Sequence, residues 1–239
     1  LLVAIFILII IDSSALSRDA VPKADPVWRA LFQGQPLDQS AWKHVGGGRF
    51  VFEKGVLRTE CSKDGLGLLV YTKEMFGDCR LKIVYRCENA RDNSGVFIRV
   101  AADPEGKLNQ VADPDKELAS EREQAAWFAV HNGYEVQICD AADPFHRTGA
   151  LYSFTQAQPA PAVSPTGWRT MIITLDGERV TVELDGKLIS AFDPTRDAIP
   201  PRTKWYEPKR EPKRPTKGYI GLQTHDPGDV VFFKEVSVQ

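Results

Sequence analysis

Four cysteines, four histidines and two methionines in 239 residues leave little material for a metal framework or a disulfide scaffold. No Cys-x-x-Cys pair and no Cys/His spacing of the zinc-site kind occurs. The chain also lacks a Gly-x-Ser-x-Gly elbow, a His-Glu-x-x-His pair, a P-loop and a Gly-x-Gly-x-x-Gly loop, so the commonest serine-hydrolase, zinc-protease and nucleotide readings have no sequence support. Gly46-Gly47-Gly48 reads instead as a turn before a strand. Charge of one sign is missing too. Thirty basic against 32 acidic side chains give a net charge of -2, which creates no field to attract nucleic acid or an anionic membrane.

What is present is enough apolar material for a core, at 43% hydrophobic and 26% charged residues, and a length that suits one all-β domain. The run from Leu1 to Ile11 is apolar throughout. It falls short of the roughly 20 residues that cross a bilayer, and small residues follow it, with Ala15 and Ser17 spaced as at a signal-peptidase site. Residues 1–17 are therefore expected to be part of a secretory signal that begins upstream of Leu1, with a periplasmic or extracellular mature protein. A buried strand or a membrane anchor remains the alternative. Export would permit disulfides, yet Cys79 and Cys87 share one expected strand and stand about 26 Å apart along it, too far to bond. Cys79 alternates with Leu81, Ile83 and Tyr85, as a small buried hydrophobe would.

After about residue 48 the pattern is one of strands: short runs of Val, Ile, Leu, Phe and Tyr alternate with polar residues and stop at Gly, Asp or Pro. Strands are expected over 49–53, 56–60, 68–72, 79–87, 95–100, 134–140, 150–154, 168–175, 179–184, 187–192, 219–223 and 230–238. Asp176-Gly177 and Asp185-Gly186 mark two tight hairpins that join three of them into a meander. So many strands with so little helical periodicity predict two antiparallel sheets packed face to face. Two segments break the pattern. Residues 113–126 read as a short polar helix that decorates the sandwich, and Pro194–Lys217 reads as a Pro- and Arg-rich loop, solvated or else offering Trp205 and Tyr206 as a wall for a sugar.

Alternation sorts the informative strands into two rows. Tyr134, Val136 and Ile138 face one way and leave Glu135 and Gln137 on the other. Val96, Ile98 and Val100 leave Phe97 and Arg99. Ile220 and Leu222 leave Tyr219, Gln223 and His225. Ordinary wet faces favour Lys, Thr, Ser and Glu, whereas these rows offer an acid, a base, a guanidinium and two amides, a set suited to hydroxyl and carbonyl oxygens. If the three strands are neighbours, those groups share a surface.

The segments Leu31-Phe32-Gln33-Gly34, Asn93-Ser94-Gly95-Val96-Phe97-Ile98-Arg99, Gly133-Tyr134-Glu135-Val136-Gln137-Ile138, Thr148-Gly149-Ala150-Leu151-Tyr152 and Gly218-Tyr219-Ile220-Gly221-Leu222-Gln223, in this order, resemble the 3-keto-disaccharide hydrolase family. The resemblance runs from about residue 28 to 239. It implies a concanavalin A-like jelly-roll sandwich and activity on glycosides whose C3 hydroxyl has become a ketone. The ketone acidifies the C2 proton, so a base can remove it, the anomeric substituent can leave, and water can add back. On that reading Glu135 and His225 are the acid/base pair, and Arg99 polarises or positions the carbonyl. Gln137, Gln223, Tyr152, His146, Trp205 and Tyr206 bind substrate. One divalent metal ion held by Glu135 and His225 is the alternative means of polarising the ketone. The stretch from Ala102 to Trp127 is longer than the connection usual in the family. A non-catalytic lectin-like module, or a structural domain of a surface assembly, fits the same fold.

Overall fold

The computed structural model describes residues 27–101, 121–161 and 167–239, with 121–124 described by backbone alone. The expected signal segment and residues 113–120 of the expected helix lie outside the described residues.

Two antiparallel sheets face each other, as alternation predicts. The larger has eight strands. Its path runs β11 (Lys187–Phe192), β10 (Arg179–Leu184), β9 (Arg169–Asp176), β6 (Cys79–Cys87), β13 (Val231–Val238), β4 (Val56–Glu60) and β3 (Arg49–Glu53), with β1 (Arg29–Gln33) also paired to β13. The smaller has five: β2 (Trp42–Gly46), β5 (Gly67–Phe76), β12 (Gly218–Thr224), β7 (Ser94–Val100) and β8 (Tyr134–Ile138). Both Asp-Gly hairpins form, joining β9, β10 and β11 in a meander. The core between the sheets takes the row that alternation assigned to it, including Leu81, Ile83 and Tyr85 from β6, Val136 and Ile138 from β8, and Ile220 and Leu222 from β12. All four cysteines are free.

The smaller sheet is covered on its other face as well. Helix α1 (Glu121–Asn132) lies across it, and Ala125 to Val130 bury themselves against Val45, Leu68, Val70, Phe97 and Val100. The expected helix stopped at Ala126; the real one continues six residues further and seals a second hydrophobic layer instead of decorating the surface. This double cover explains why every residue of β7 is buried.

One other expected strand is corrected. Ala150–Phe154 forms no strand, because Ser153 adopts φ 62° and the chain folds back so that Thr155 N–H donates to the Leu151 carbonyl. Its apolar residues are buried by a turn. Strands β1 and β2 lack an alternating run long enough to be read. The basic loop before β12 is exposed along most of its length, as expected, but it is anchored, with Arg214 and Glu207 buried. Arg214 donates to the Gly133 carbonyl at 3.0 Å and Arg210 to those of Pro200 and Pro208. Thr203 N–H donates to Glu207 at 2.7 Å, so the loop is stapled to the domain.

Candidate functional site

Strands β12, β7 and β8 are immediate neighbours, so the groups that point away from the core do share one surface. There they floor a cavity of about 480 Å³, lined by Glu135 and Gln137 of β8, Gln223 and His225 at the end of β12, and Asn93 just before β7. Trp127 and Val130 of α1, Leu66, Tyr152, Trp205 and Tyr206 make its walls. This volume is in the range of small-molecule sites, roughly 300–1,000 Å³. A smaller cavity of about 270 Å³ touches Cys87, Arg147 and Arg169, and there Arg169 is paired to Asp140 at 3.0 Å and to Asp185 at 3.1 Å.

Glu135 is the most perturbed acid near the sheet. Its side chain leans over Gly95 on the adjacent strand, and any Cβ at that position would overlap its carboxyl group. Burial pushes the carboxyl from its ordinary 4.5 up to about 8, against the opposing pull of His225 and a hydrogen bond from Gln223. The shift favours its protonated form near neutral pH. His225 is held on both sides. Its Nδ1 faces Asp229 Oδ2 at 3.1 Å and Asp226 Oδ2 at 3.4 Å, while its Nε2 faces Asn93 Nδ2 at 3.2 Å. Gln137 Nε2 in turn donates to Asn93 Oδ1 at 3.2 Å. The network assigns the proton of the neutral ring to Nδ1, directed at Asp229, and leaves Nε2 as an acceptor. Burial alone would depress the His225 pKa, but Asp229, Asp226 and Glu135 together raise it above the ordinary value.

The amide oxygens of Gln137 and Gln223 are buried and accept no hydrogen bond within the described residues. Buried acceptors without donors are uncommon, and here both belong to cavity-lining side chains, where they suit the hydroxyls of a ligand. Tyr152 lines the cavity too, and burial followed by the nearby Glu135 raises its phenol well above the usual value, keeping it a neutral donor.

Arg99 is the principal correction to the expected site. It adopts φ 53°, and its neighbours show the consequence: Phe97 and Val100 both pack under α1, where strict alternation would put Phe97 and Arg99 on the same face. The pairing of β7 with β12 slips by one residue at this point, a β-bulge that turns Arg99 to the other side. Gly218 makes room for the bulge, since a Cβ there would strike the Arg99 backbone. The guanidinium binds the carbonyls of Glu178 at 2.8 Å and Gly177 at 2.5 Å, so it clamps the β9–β10 hairpin and stays outside the cavity. His146 is also outside it. Its Nδ1 meets Asp143 at 2.7 Å and its Nε2 meets Ser153 at 3.0 Å, and its ring packs on Tyr152 at 4.5 Å, so it braces a wall.

Glu135 and His225 are the residues the sequence offered as ligands for a divalent ion, and they line the same cavity. Both ring nitrogens of His225 are engaged, and among the described residues no group of three or more His, Cys, Asp or Glu side chains is arranged to hold an ion. Sequence reasoning missed Asn93, Asp229 and Trp127. Asn93 stood inside the Asn93-Ser94-Gly95 segment, and Asp229 follows a Pro-Gly turn, but neither position carries a periodic signal.

Residues 27–239 match the family model described as a 3-keto-alpha-glucoside-1,2-lyase-like domain. No curated protein matches the sequence. Among solved structures, two Parabacteroides distasonis proteins named provisionally as glycosyl hydrolases are similar. One has a TM-score of 0.59 and 22% identity over 90% of this chain and 99% of its own; the other has 0.61 and 18% over 89% and 93%. A Bacillus subtilis protein of unknown function with a galectin-like fold has a TM-score of 0.51 at 16% identity, over 89% of this chain and 98% of its own. At these identities the likeness is one of fold.

Proposed function

This chain belongs to the 3-keto-alpha-glucoside-1,2-lyase-like domain family, and from that premise we propose that it cleaves 3-keto-glycosides by elimination across C1 and C2 followed by hydration. The observation that carries the reading is the pairing, on one cavity floor, of a carboxyl whose surroundings favour its protonated form with a histidine whose far nitrogen is held by an aspartate. Both environments favour the protonated form, so the roles follow from geometry. With Nδ1 directed at Asp229, the Nε2 of His225 is left as the acceptor that can take a proton, while Glu135 is favoured in the form that gives one. Here the assignment makes His225 the base and Glu135 the acid.

In that reaction His225 Nε2, with Asn93 displaced by substrate, takes the C2 proton. The electron pair of the C2–H bond forms the C1=C2 double bond, conjugated with the C3 ketone, as the C1–O bond breaks. Glu135 gives its proton to the departing oxygen, and Asp229 stabilises the imidazolium that forms. Water then adds its hydroxyl to C1 and a proton returns to C2, which makes the sum a hydrolysis. Gln137 and Gln223 accept hydrogen bonds from sugar hydroxyls. Tyr152 supplies a neutral donor to the ketone in the role that Arg99 is too distant to play.

The test is turnover of a 3-keto-glucoside by the purified protein, with the unoxidised glucoside left untouched. Glu135→Gln is expected to lower turnover by roughly 10²- to 10⁴-fold while it keeps binding, because an amide fills the same space and gives no proton. A substrate whose leaving group needs no protonation, such as a 4-nitrophenyl 3-keto-glucoside, should recover much of that loss in Glu135→Gln and none of it in His225→Ala. Glycan binding without turnover of any 3-keto substrate would favour the lectin-like alternative.

A further inference from the structure

The cavity has two chemically distinct parts. One is the hydrogen-bonded floor around Glu135, Gln137, Gln223 and His225. The other is a continuous aromatic wall: Trp127 packs on Trp205 with ring centroids 5.4 Å apart, and Trp205 on Tyr206 at 5.5 Å, with Val130 and Leu66 lining the same cavity. Tyr152 lines the same cavity as both parts.

Trp205 and Tyr206 are 41% and 38% exposed, among the largest hydrophobic side chains left open to solvent. Their loop is not free to fold them away. Thr203 bonds to the buried Glu207, and Arg202 Nε donates to the Glu207 carbonyl at 3.0 Å, so the two rings are held at the cavity on a fixed frame. Exposed apolar surface maintained in place beside a cavity marks a ligand contact.

Resting on the elimination reading above, we infer that this aromatic part is the leaving-group subsite, and that it takes a flat, apolar aglycone in preference to a second sugar. Aromatic faces stack on either, but a second pyranose also brings a belt of hydroxyls that lose water on entry and need partners. The amides, the imidazole and Glu135 are gathered on the sheet floor, whereas the wall presents ring faces with Val130 and Leu66, its polar atoms being the indole N–H and phenol O–H groups and the Asp226 carboxylate at the rim. An aryl or arylalkyl group satisfies that surface without leaving polar atoms unpaired.

The experiment compares three 3-keto-glucosides, the methyl, the benzyl and a disaccharide with a second glucose as leaving group. Benzyl alcohol is no better a leaving group than a sugar hydroxyl, so a preference reports recognition. The expected result is a kcat/KM for the benzyl compound at least 10-fold above both others. Trp205→Ala and Tyr206→Ala should lower the benzyl value about 10-fold and the methyl value by less than 3-fold. Preference for the disaccharide, or equal losses for methyl and benzyl, overturns the inference with the reaction intact. If none of the three is consumed, the elimination reading fails. Calorimetric binding of unoxidised benzyl against methyl glucoside to wild type and Trp205→Ala then decides the subsite on its own: tighter benzyl binding that the variant loses supports it, and equal binding overturns it.

Discussion

At the scale of single residues the site depends on what stands beside each titratable group. Glu135 has its raised pKa because its carboxyl lies in the space that the absent side chain of Gly95 leaves open, where partial burial penalises the charged form. For His225 burial is the largest single effect and lowers the pKa, but Asp229, Asp226 and Glu135 together outweigh it. The proposed roles require a bell-shaped dependence of kcat/KM on pH, with a rising limb as His225 loses its proton and a falling limb near pH 8 as Glu135 loses its own. Asp229→Asn removes the charge that favours imidazolium, so the His225 pKa falls. The acid limb should then move to lower pH, kcat should drop roughly 10²-fold, and the alkaline limb should stay near pH 8. A merely structural role for Asp229 would lower activity without moving the acid limb.

At the scale of elements, three departures from regularity shape the cavity. The bulge in β7 takes Arg99 off the floor, α1 closes the space above it, and the stapled loop before β12 brings the aromatic pair to its edge. Arg99 makes its bonds to hairpin carbonyls, so its loss belongs to folding and not to chemistry. Arg99→Met is expected to cost about 2–3 kcal/mol of stability through the carbonyls it leaves unpaired. Its kcat should stay within about 3-fold of wild type. Urea unfolding and turnover, measured on the same preparation, check the two parts; a large loss of kcat with little change in stability would return Arg99 to the site.

At the scale of the whole molecule, Glu135 links the site to the stability of the sandwich. A carboxyl with a folded-state pKa of about 8 keeps a proton that the unfolded chain has released above its ordinary 4.5. The unfolded state thus binds fewer protons between those values, and this group makes stability fall as pH rises through that window. Glu135→Gln removes the slope. Relative to wild type the variant should be equally stable near pH 4 and more stable by about 1–3 kcal/mol at pH 9, read from urea midpoints at the two pH values. A difference that does not grow with pH would mean that the carboxyl is not buried in the folded protein. The same trade, stability given up to hold a neutral acid over the floor, is expected of a site built for proton transfer.

What the sequence determined by itself was the class of fold and the face on which most of the floor residues lie. A strand has a period of two, so the burial of Val136 and Ile138 obliges Glu135 and Gln137 to point away from the core, and Ile220 and Leu222 do the same for Gln223 and His225. The Asp-Gly hairpins were equally local, because each is a matter of a few adjacent residues. Tertiary structure decided the rest. Period two holds only while the ladder is unbroken, and the single extra residue at Arg99, accommodated by the bare backbone of Gly218 from a distant strand, reversed one assignment. Which strands lie side by side, and that Asn93, Asp229 and Trp127 gather around the cavity from a loop, a turn and a helix, follows from contacts between residues far apart in the chain. Local alternation specifies a direction for each side chain; packing supplies its neighbours, and the neighbours set the chemistry.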